Sequence, residues 1–202
     1  MDRDAWNERY RGAALVWTAE PNRFLVEQVA GLAPGRVVDL AAGEGRNAVW
    51  LAEQGWQATA VDFSDVAIAK ARDLATARDV EVRCAVADIT DDLTGVLEPG
   101  GYDLVVVAYL QLPAPERAAA LANAVAALAP GGTLLEIAHD VANLDGGCGG
   151  PQDPAVLASP GEIAGLLDGL VIETAATVER PVDTPDGPRV AIDHLVRACR
   201  PS

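Results

Sequence analysis

Acidic residues stand near the ends of the first three strands that the sequence predicts. Asp39 comes just ahead of a turn of small residues, Asp62 closes the second strand, and Asp88 follows the third. In open α/β sheets the carboxyl ends of parallel strands meet at one edge, and ligands bind there. Carboxylates accept hydrogen bonds from hydroxyl, amine and ammonium groups. The spacing therefore predicts a site for a ligand that carries hydroxyl groups and cationic or amino nitrogen.

The turn after the first strand reads Ala-Ala-Gly-Glu-Gly-Arg-Asn and leads into a helix. Gly43 and Gly45 allow the backbone to approach a ligand closely, and the start of a helix offers unpaired N–H groups. Residues 43–48 fit G-x-G-x-x-A, and Asp62 lies 19 residues beyond Gly43, near the spacing of a ribose-binding acid. A nicotinamide dinucleotide is thus one candidate ligand.

Other features favour S-adenosylmethionine over a dinucleotide. A carboxylate at Asp39 suits a cation or a hydroxyl better than a pyrophosphate, and Asp88 is placed for an adenine amine. A predicted terminal hairpin also replaces the further β-α units of a dinucleotide fold. In this interpretation Asp39 meets the amino-acid end of the cofactor, and Asp62 accepts hydrogen bonds from both ribose hydroxyls.

The segment VVDLAAGEGRNAVWLAEQGWQATAVDFS resembles the first two motifs of class I S-adenosylmethionine-dependent methyltransferases. Its GEGRNA part is most similar to the small-molecule subgroup that includes tellurite-resistance and thiopurine methyltransferases. Ala41 and Ala42 stand where that subgroup usually has Gly-Cys, so Ala41 must keep a negative φ or tolerate strain. The segment ALAPGGTLLEIAHD also resembles the family's turn into the fifth strand.

The resemblance implies a set of cofactor contacts at the strand ends. Arg46 is a candidate to hold the cofactor carboxylate. The predicted cofactor-binding residues are Asp39, Ala41, Ala42, Gly43, Gly45, Arg46, Asn47, Asp62, Phe63, Ala87, Asp88, Ile89 and Ala108.

Strands alternate with helices along the chain and end in a hairpin, which predicts an α/β fold. The predicted sheet is doubly wound and Rossmann-like, with seven strands of which the last is antiparallel, helices on both faces and an N-terminal helical cap. Residues 1–202 form one domain, with 1–33 as the cap or lid, 34–202 as the core and 139–160 as a substrate-side loop. The predicted strands are 37–40, 57–62, 80–86, 102–108, 133–138, 171–179 and 190–197.

Methyl transfer by in-line displacement depends mainly on holding the acceptor in place, although an amine or hydroxyl acceptor needs a base. His139 and Asp140 follow the fifth strand and are the predicted catalytic residues. His194, between Asp193 and Leu195, is interpreted as structural. The predicted substrate-binding residues are Trp17, Asn22, Tyr109, His139 and Cys148.

A formal charge of −15 and a pI near 4.3 argue against nucleic acid or membrane as a partner. The three cysteines are far apart, and their spacing fits neither a disulfide framework nor a metal site. The charged start MDRDAWNERY and the lack of a long apolar run predict a cytoplasmic protein. We expect a small-molecule methyl acceptor and a monomer or homodimer.

The sequence favours S-adenosylmethionine-dependent methyl transfer to a small-molecule nucleophile. An NAD-type oxidoreductase on the same glycine corner is one alternative. A non-catalytic domain that binds S-adenosylmethionine is the other, since Ala41 and Ala42 depart from the usual motif.

Overall fold

A computed structural model of the protein describes residues 2–185 and 187–202. Met1, in the predicted cap, and Asp186, in the predicted hairpin turn, lie outside the described residues. The helices are α1 (Arg3–Arg11), α2 (Arg23–Val29), α3 (Arg46–Glu53), α4 (Asp65–Ala77), α5 (Ala114–Ala127) and α6 (Pro160–Ala164). The strands are β1 (Arg36–Leu40), β2 (Gln57–Asp62), β3 (Val82–Val86), β4 (Tyr102–Ala108), β5 (Leu128–His139), β6 (Val171–Thr184) and β7 (Gly187–Cys199).

The strands form one seven-stranded sheet in the order β3-β2-β1-β4-β5-β7-β6. Strands β1 to β5 pair in parallel, whereas β7 runs antiparallel to both β5 and β6. The predicted Rossmann-like sheet with an antiparallel last strand is therefore confirmed. The strand order reverses between β1 and β4, and such a switch point opens the crevice in which α/β folds bind ligands.

Apolar side chains cover both faces of the sheet. On one face Leu25 of α2 and Leu51 of α3 pack against β1, β2 and β4, and on the other Leu121 of α5 and Ile163 of α6 pack against the same sheet. Strand β4 is buried on both faces because helices cover both sides, which explains its unbroken run of apolar residues.

The corner between β1 and α3 has an unusual backbone. Ala41 adopts φ +58°, Gly43 φ +55° and Gly45 φ +81°. A Cβ atom on Gly45 would lie 2.6 Å from Cβ of Ala71, so this glycine lets α3 pack closely on α4. Ala41 therefore takes the strained left-handed conformation rather than a negative φ.

Some elements differ from their predicted limits. Residues 91–97, between the third and fourth strands, form turns and an isolated bridge, because Asp92 Oδ1 accepts hydrogen bonds from the Thr94 amide (2.9 Å) and hydroxyl (2.6 Å). Strand β3 starts at Val82, since the Val80 amide instead donates to the Ala75 carbonyl at the end of α4. Strand β6 ends later than predicted, at Thr184, and strand β7 begins earlier than predicted, at Gly187, so the hairpin is longer than expected.

The predicted substrate-side loop contains two short 3₁₀ helices, Val141–Asp145 and Pro154–Val156. Of the helices in the described part of the chain, none has the length and apolarity that a membrane span requires.

We predict that glycine has different effects on stability at the two adjacent alanines of the corner. Both side chains are partly buried, so both variants lose a similar methyl contact, but only Ala41 has a positive φ. Relief of left-handed strain should make Ala41→Gly more stable than Ala42→Gly by about 1 to 2 kcal/mol in free energy of unfolding. Urea denaturation measures this difference, and equal destabilisation by both substitutions would contradict the strain.

Candidate active site

Asp39 lies at the switch point with an unusual environment for a carboxylate. Its residue is 1% exposed, and within the described residues neither side-chain oxygen has a hydrogen-bond partner. The Ala48 amide favours the ionised form, although its contact with Asp39 does not meet the geometry of a hydrogen bond. Burial, assisted by the charge of Asp62 and opposed by that of Arg46, raises the pKa of Asp39 to about 7. The site thus contains two buried carboxyl oxygens that are free to accept hydrogen bonds from a ligand.

Arg46, the first residue of α3, lies close enough to Asp39 to favour its ionised form. Burial lowers the pKa of Arg46, and the acidic groups of Tyr109, Asp39 and Glu44 oppose that effect. Asp39 and Arg46 thus bring an acidic and a cationic group to the same corner, within range of each other's charge. This pair complements the ammonium and carboxylate of an amino acid.

Asp62 at the end of β2 braces the glycine corner. Its oxygens accept hydrogen bonds from the Gly43 amide (2.8 Å) and the Ser64 amide (2.9 Å). Burial raises the pKa of Asp62, although these two hydrogen bonds oppose the increase. A carboxylate has about four acceptor positions, so Asp62 keeps capacity for a ligand hydroxyl.

Asp88 follows β3 and forms a tight turn with Thr90. Its Oδ1 atom accepts hydrogen bonds from the Thr90 amide (3.0 Å) and hydroxyl (2.8 Å). The charge of Asp88 is close enough to Asp62 to contribute to the raised pKa of that residue. The structure therefore brings Asp39, Asp62 and Asp88 to one edge of the sheet, as the sequence predicts.

The remaining predicted cofactor contacts lie beside these acids. Phe63 and Ala108 are half-buried at the ends of β2 and β4. The Ala87 amide donates to the Asp62 carbonyl at 3.0 Å, which continues the pairing of β2 and β3. The Ile89 side chain is buried in the core, where it packs below α5.

The N-terminal segment is fastened over the glycine corner by Glu44, which sequence reasoning missed. The Glu44 side chain is 3% exposed and accepts hydrogen bonds from the Val16 amide (2.9 Å), the Trp17 amide (3.0 Å) and Lys70 Nζ (3.0 Å). Tyr10 of α1 lies directly above the corner, since a Cβ atom on Gly43 would come within 3.1 Å of its hydroxyl. Glu44 occupies a variable position of the glycine motif, so the motif itself carried no signal for it.

Trp17 and Asn22, both predicted to bind substrate, have different surroundings. Trp17 is 43% exposed, and the Arg9 guanidinium lies 5.1 Å from the ring centres of both Trp6 and Trp17. Asn22 is buried and caps α2 by accepting from the amides of Phe24 and Leu25.

Asn47, a predicted cofactor residue, is also buried, and its Oδ1 atom accepts from the Asn22 amide at 2.9 Å. Asn22 and Asn47 therefore connect the start of α2 to the start of α3.

A second group of polar side chains surrounds Asp193 of β7, at the ends of β4 and β5. Asp193 is completely buried, and its Oδ2 atom accepts from the Tyr109 hydroxyl and from Arg180 Nε, each at 2.7 Å. Its Oδ1 atom lies 2.9 Å from His139 Nδ1. Tyr109 and His139 were both predicted as site residues. Asp193 and Arg180, which the sequence analysis did not identify as site residues, belong to the same cluster.

Burial alone would raise the pKa of Asp193, but the contacts with His139, Arg180 and Tyr109 outweigh it, so its pKa lies below the ordinary value. Burial and the Asp193 charge raise the pKa of the Tyr109 phenol. At neutral pH Asp193 is therefore ionised and Tyr109 is a neutral donor.

Asp140, the other predicted catalytic residue, holds the loop in place. Its Oδ1 atom accepts from the Ala142 amide (2.9 Å) and its Oδ2 atom from the Thr177 hydroxyl (2.7 Å). These contacts give Asp140 an anchoring role between the loop and β6.

Cys148, a predicted substrate-binding residue, is half-buried, and its amide donates to the Val190 carbonyl at 3.0 Å.

His194, interpreted as structural from the sequence, is buried beside Glu136, with 2.7 Å between Nε2 and Oε2. Burial would lower the pKa of His194, but the Glu136 charge outweighs it and raises that pKa. This pair lies between β5 and β7 on the face covered by α5 and α6.

Comparison with known proteins finds similarity to methyltransferases. A family described as "Methyltransferase domain" matches residues 37–132, just under half of the chain. The demethylmenaquinone methyltransferase of Thermus thermophilus is 35% identical over 126 residues, which are 61% of this chain and 54% of that protein. The chain thus spans about half the length of this curated relative.

Solved structures share the fold over almost the whole chain. One, reported as "Conversion of a Disulfide Bond into a Thioacetal Group during Echinomycin Biosynthesis", has a TM-score of 0.79 and 25% identity, covering 98% of this chain and 92% of that chain. TehB from Haemophilus influenzae has a TM-score of 0.74 and 19% identity, covering 98% of this chain and 66% of that chain.

The sheet has the fold of the class I S-adenosylmethionine-dependent methyltransferases. Residues 37–132 match the methyltransferase domain family, and the chain is similar in sequence to a methyltransferase.

We predict that Asp39→Asn changes the dependence of stability on pH. The folded protein holds a proton on Asp39 up to about pH 7, whereas the unfolded chain loses it near pH 4, so wild-type stability falls as pH rises between these values. The difference in unfolding free energy, variant minus wild type, should increase by about 2 to 3 kcal/mol from pH 5 to pH 8. Denaturation at both pH values measures it.

Asp168→Asn, at an exposed acid, is the matched control and should behave like wild type at both pH values. A difference for Asp39→Asn that does not change with pH would show that Asp39 is not the buried, proton-holding acid described above.

Proposed function

We propose that the protein is an enzyme that transfers a methyl group from S-adenosylmethionine to a small-molecule nucleophile. The observation that carries this proposal is the unpartnered, buried Asp39 carboxylate beside Arg46 at the switch point of the sheet. An ammonium would supply the missing donor to Asp39, and Arg46 would pair with the neighbouring carboxylate.

The residues at the strand ends fit the rest of this cofactor. Asp62 would accept from the ribose hydroxyls while it continues to brace Gly43, and Asp88 would accept from the adenine amine. When bound, the cofactor supplies a methyl group on a positively charged sulfur. The chain's own contribution is to hold both reactants in line and to exclude water.

The alternative ligand, a nicotinamide dinucleotide, fits the site less well. Its pyrophosphate would have to bind at the same corner, where the Asp39 and Asp62 carboxyl groups are buried. Repulsion between like charges increases in a poorly solvated site, so these acids disfavour a phosphate ligand.

The N-terminal segment forms the lid of the proposed site, as the division into a cap at 1–33 and a core at 34–202 implies. Glu44 and Lys70 fasten its described part to the corner, and Tyr10 lies above Gly43. Trp17, at the exposed end of this segment, is placed to line the acceptor entrance together with the loop at 139–160.

A small-molecule acceptor agrees with the formal charge of −15, which disfavours nucleic acid and anionic membranes. One similar protein is named a demethylmenaquinone methyltransferase, and a similar structure is reported for the conversion of a disulfide bond into a thioacetal group during echinomycin biosynthesis. An acceptor that carries a proton on the atom to be methylated would need a base, and His139 is the predicted candidate. Cytoplasmic location and a monomeric or homodimeric state stay predictions.

We predict that the protein binds S-adenosylhomocysteine, the product form of the cofactor, and that Asp62→Asn weakens this binding about 10- to 100-fold. The loss follows from replacing an ionised acceptor of ribose hydroxyls with an amide. Isothermal titration calorimetry on both proteins measures the change.

Asp92→Asn is the matched control, because Asp92 is an exposed acid of the adjacent loop whose contacts are with Thr94 only. It should bind like wild type. Binding of NADH in place of S-adenosylhomocysteine, or no binding of either, would contradict the proposed function.

A further inference from the structure

His139 is held by an acid from a distant part of the sequence rather than by its neighbour Asp140. In the antiparallel pairing of β5 with β7, His139 lies directly opposite Asp193. The distance between His139 Nδ1 and Asp193 Oδ1 is 2.9 Å, whereas both oxygens of Asp140 accept hydrogen bonds from Ala142 and Thr177. The register of the sheet therefore determines the partner of the imidazole.

The contacts of Asp193 indicate which nitrogen of His139 carries the proton. Tyr109 and Arg180 both donate to Oδ2, so the ionised carboxylate has Oδ1 left as an acceptor. His139 Nδ1 and Asp193 Oδ1 are both inaccessible to solvent, and neither atom has a hydrogen-bond partner of ordinary geometry in the described chain, so each is the nearest polar group that can satisfy the other at 2.9 Å. Only a proton on Nδ1 makes this buried contact favourable. The Nε2 atom is then left with a free lone pair.

The His139 ring is confined from two sides. The Tyr109 ring lies at a centroid distance of 5.2 Å and an angle of 56°. A Cβ atom on Gly150 would lie 2.5 Å from His139 Cδ2 and 2.8 Å from Nε2, so the backbone of the loop is close against the ring. The side chain keeps 11% of its surface exposed. Tyr109 and Gly150 therefore limit rotation of the imidazole.

This group adjoins the proposed cofactor pocket. Arg46, which neighbours Asp39, is influenced electrostatically by both Tyr109 and Arg180. His139 and its partners thus lie at the carboxyl edge of β4 and β5, on the side where an acceptor would approach the cofactor.

We propose that Asp193 is a positioning residue that fixes His139 with its proton on Nδ1, so that Nε2 takes the proton of the acceptor. This inference rests on the proposed function. The acceptor atom loses its proton to Nε2 and forms a bond to the methyl carbon. The carbon–sulfur bond breaks with its electron pair staying on sulfur, and the imidazolium later releases the proton to water.

A purely structural Asp193 would only fasten Arg180 of β6 to β7. Such a role predicts loss of stability on substitution but no particular tautomer of His139. The tautomer therefore distinguishes positioning from fastening, and it can be observed without any methyl acceptor.

The tautomer of His139 can be determined by 15N NMR of the full chain, which contains only two histidines. A His139→Gln variant assigns the signals. We predict Nδ1–H with unprotonated Nε2 for neutral His139 in wild type. In Asp193→Asn this preference should be lost, because the amide can donate as well as accept. Asp140→Asn, at the adjacent buried acid, is the matched control and should leave the His139 tautomer unchanged.

An Nε2–H tautomer in wild type would overturn the proposal even if Asp193→Asn does not fold, as would an unchanged tautomer in a folded variant. Calorimetry with S-adenosylhomocysteine on the same wild-type sample tests the proposed function separately from the role of Asp193. Binding with the wrong tautomer refutes the role of Asp193 alone, whereas the expected tautomer without binding refutes the proposed function.

If an acceptor that must lose a proton is found, Asp193→Asn should lower kcat by about 100-fold or more, with little change in cofactor affinity. An unchanged kcat would overturn the positioning role.

Discussion

The site depends on one buried carboxylate that the protein itself does not satisfy. Asp39 lies in the middle of the sheet with both oxygens unpartnered in the described chain, and its burial raises its pKa to about 7. Leaving such a group without a donor costs free energy that folding must supply from elsewhere. The cost is understandable if a ligand provides the donor, because the same oxygens then contribute to binding.

Segments from both ends of the chain complete the site around this acid. The N-terminal segment reaches the glycine corner through Glu44, and the C-terminal hairpin delivers Asp193 and Arg180 to the ends of β4 and β5. The antiparallel position of β7 matters here, because the start of that strand then lies at the edge where the parallel strands end. In the proposed function the central motif would hold the cofactor and the hairpin would lie on the acceptor side.

The positions of the acids and of the glycine turn at the strand ends could be predicted because each signal is local. Asp39 and Asp62 stand at strand ends that apolar runs reveal, and the glycine turn has a recognisable spacing. Asp193 could not be predicted, since its contact with His139 depends on the register of two strands far apart in sequence. Glu44 occupies a variable position in a motif, and its importance appears only when the N-terminal segment packs on it.

The central claim is that Asp39 gives up its proton to meet a cation, and proton release on ligand binding tests it most directly. Titration of S-adenosylhomocysteine at pH 7 in two buffers with different heats of ionisation measures the protons released. Because Asp39 has a pKa of about 7, wild type should release about half a proton for each ligand bound, and Asp39→Asn should release almost none. Equal proton release by the two proteins would contradict the account.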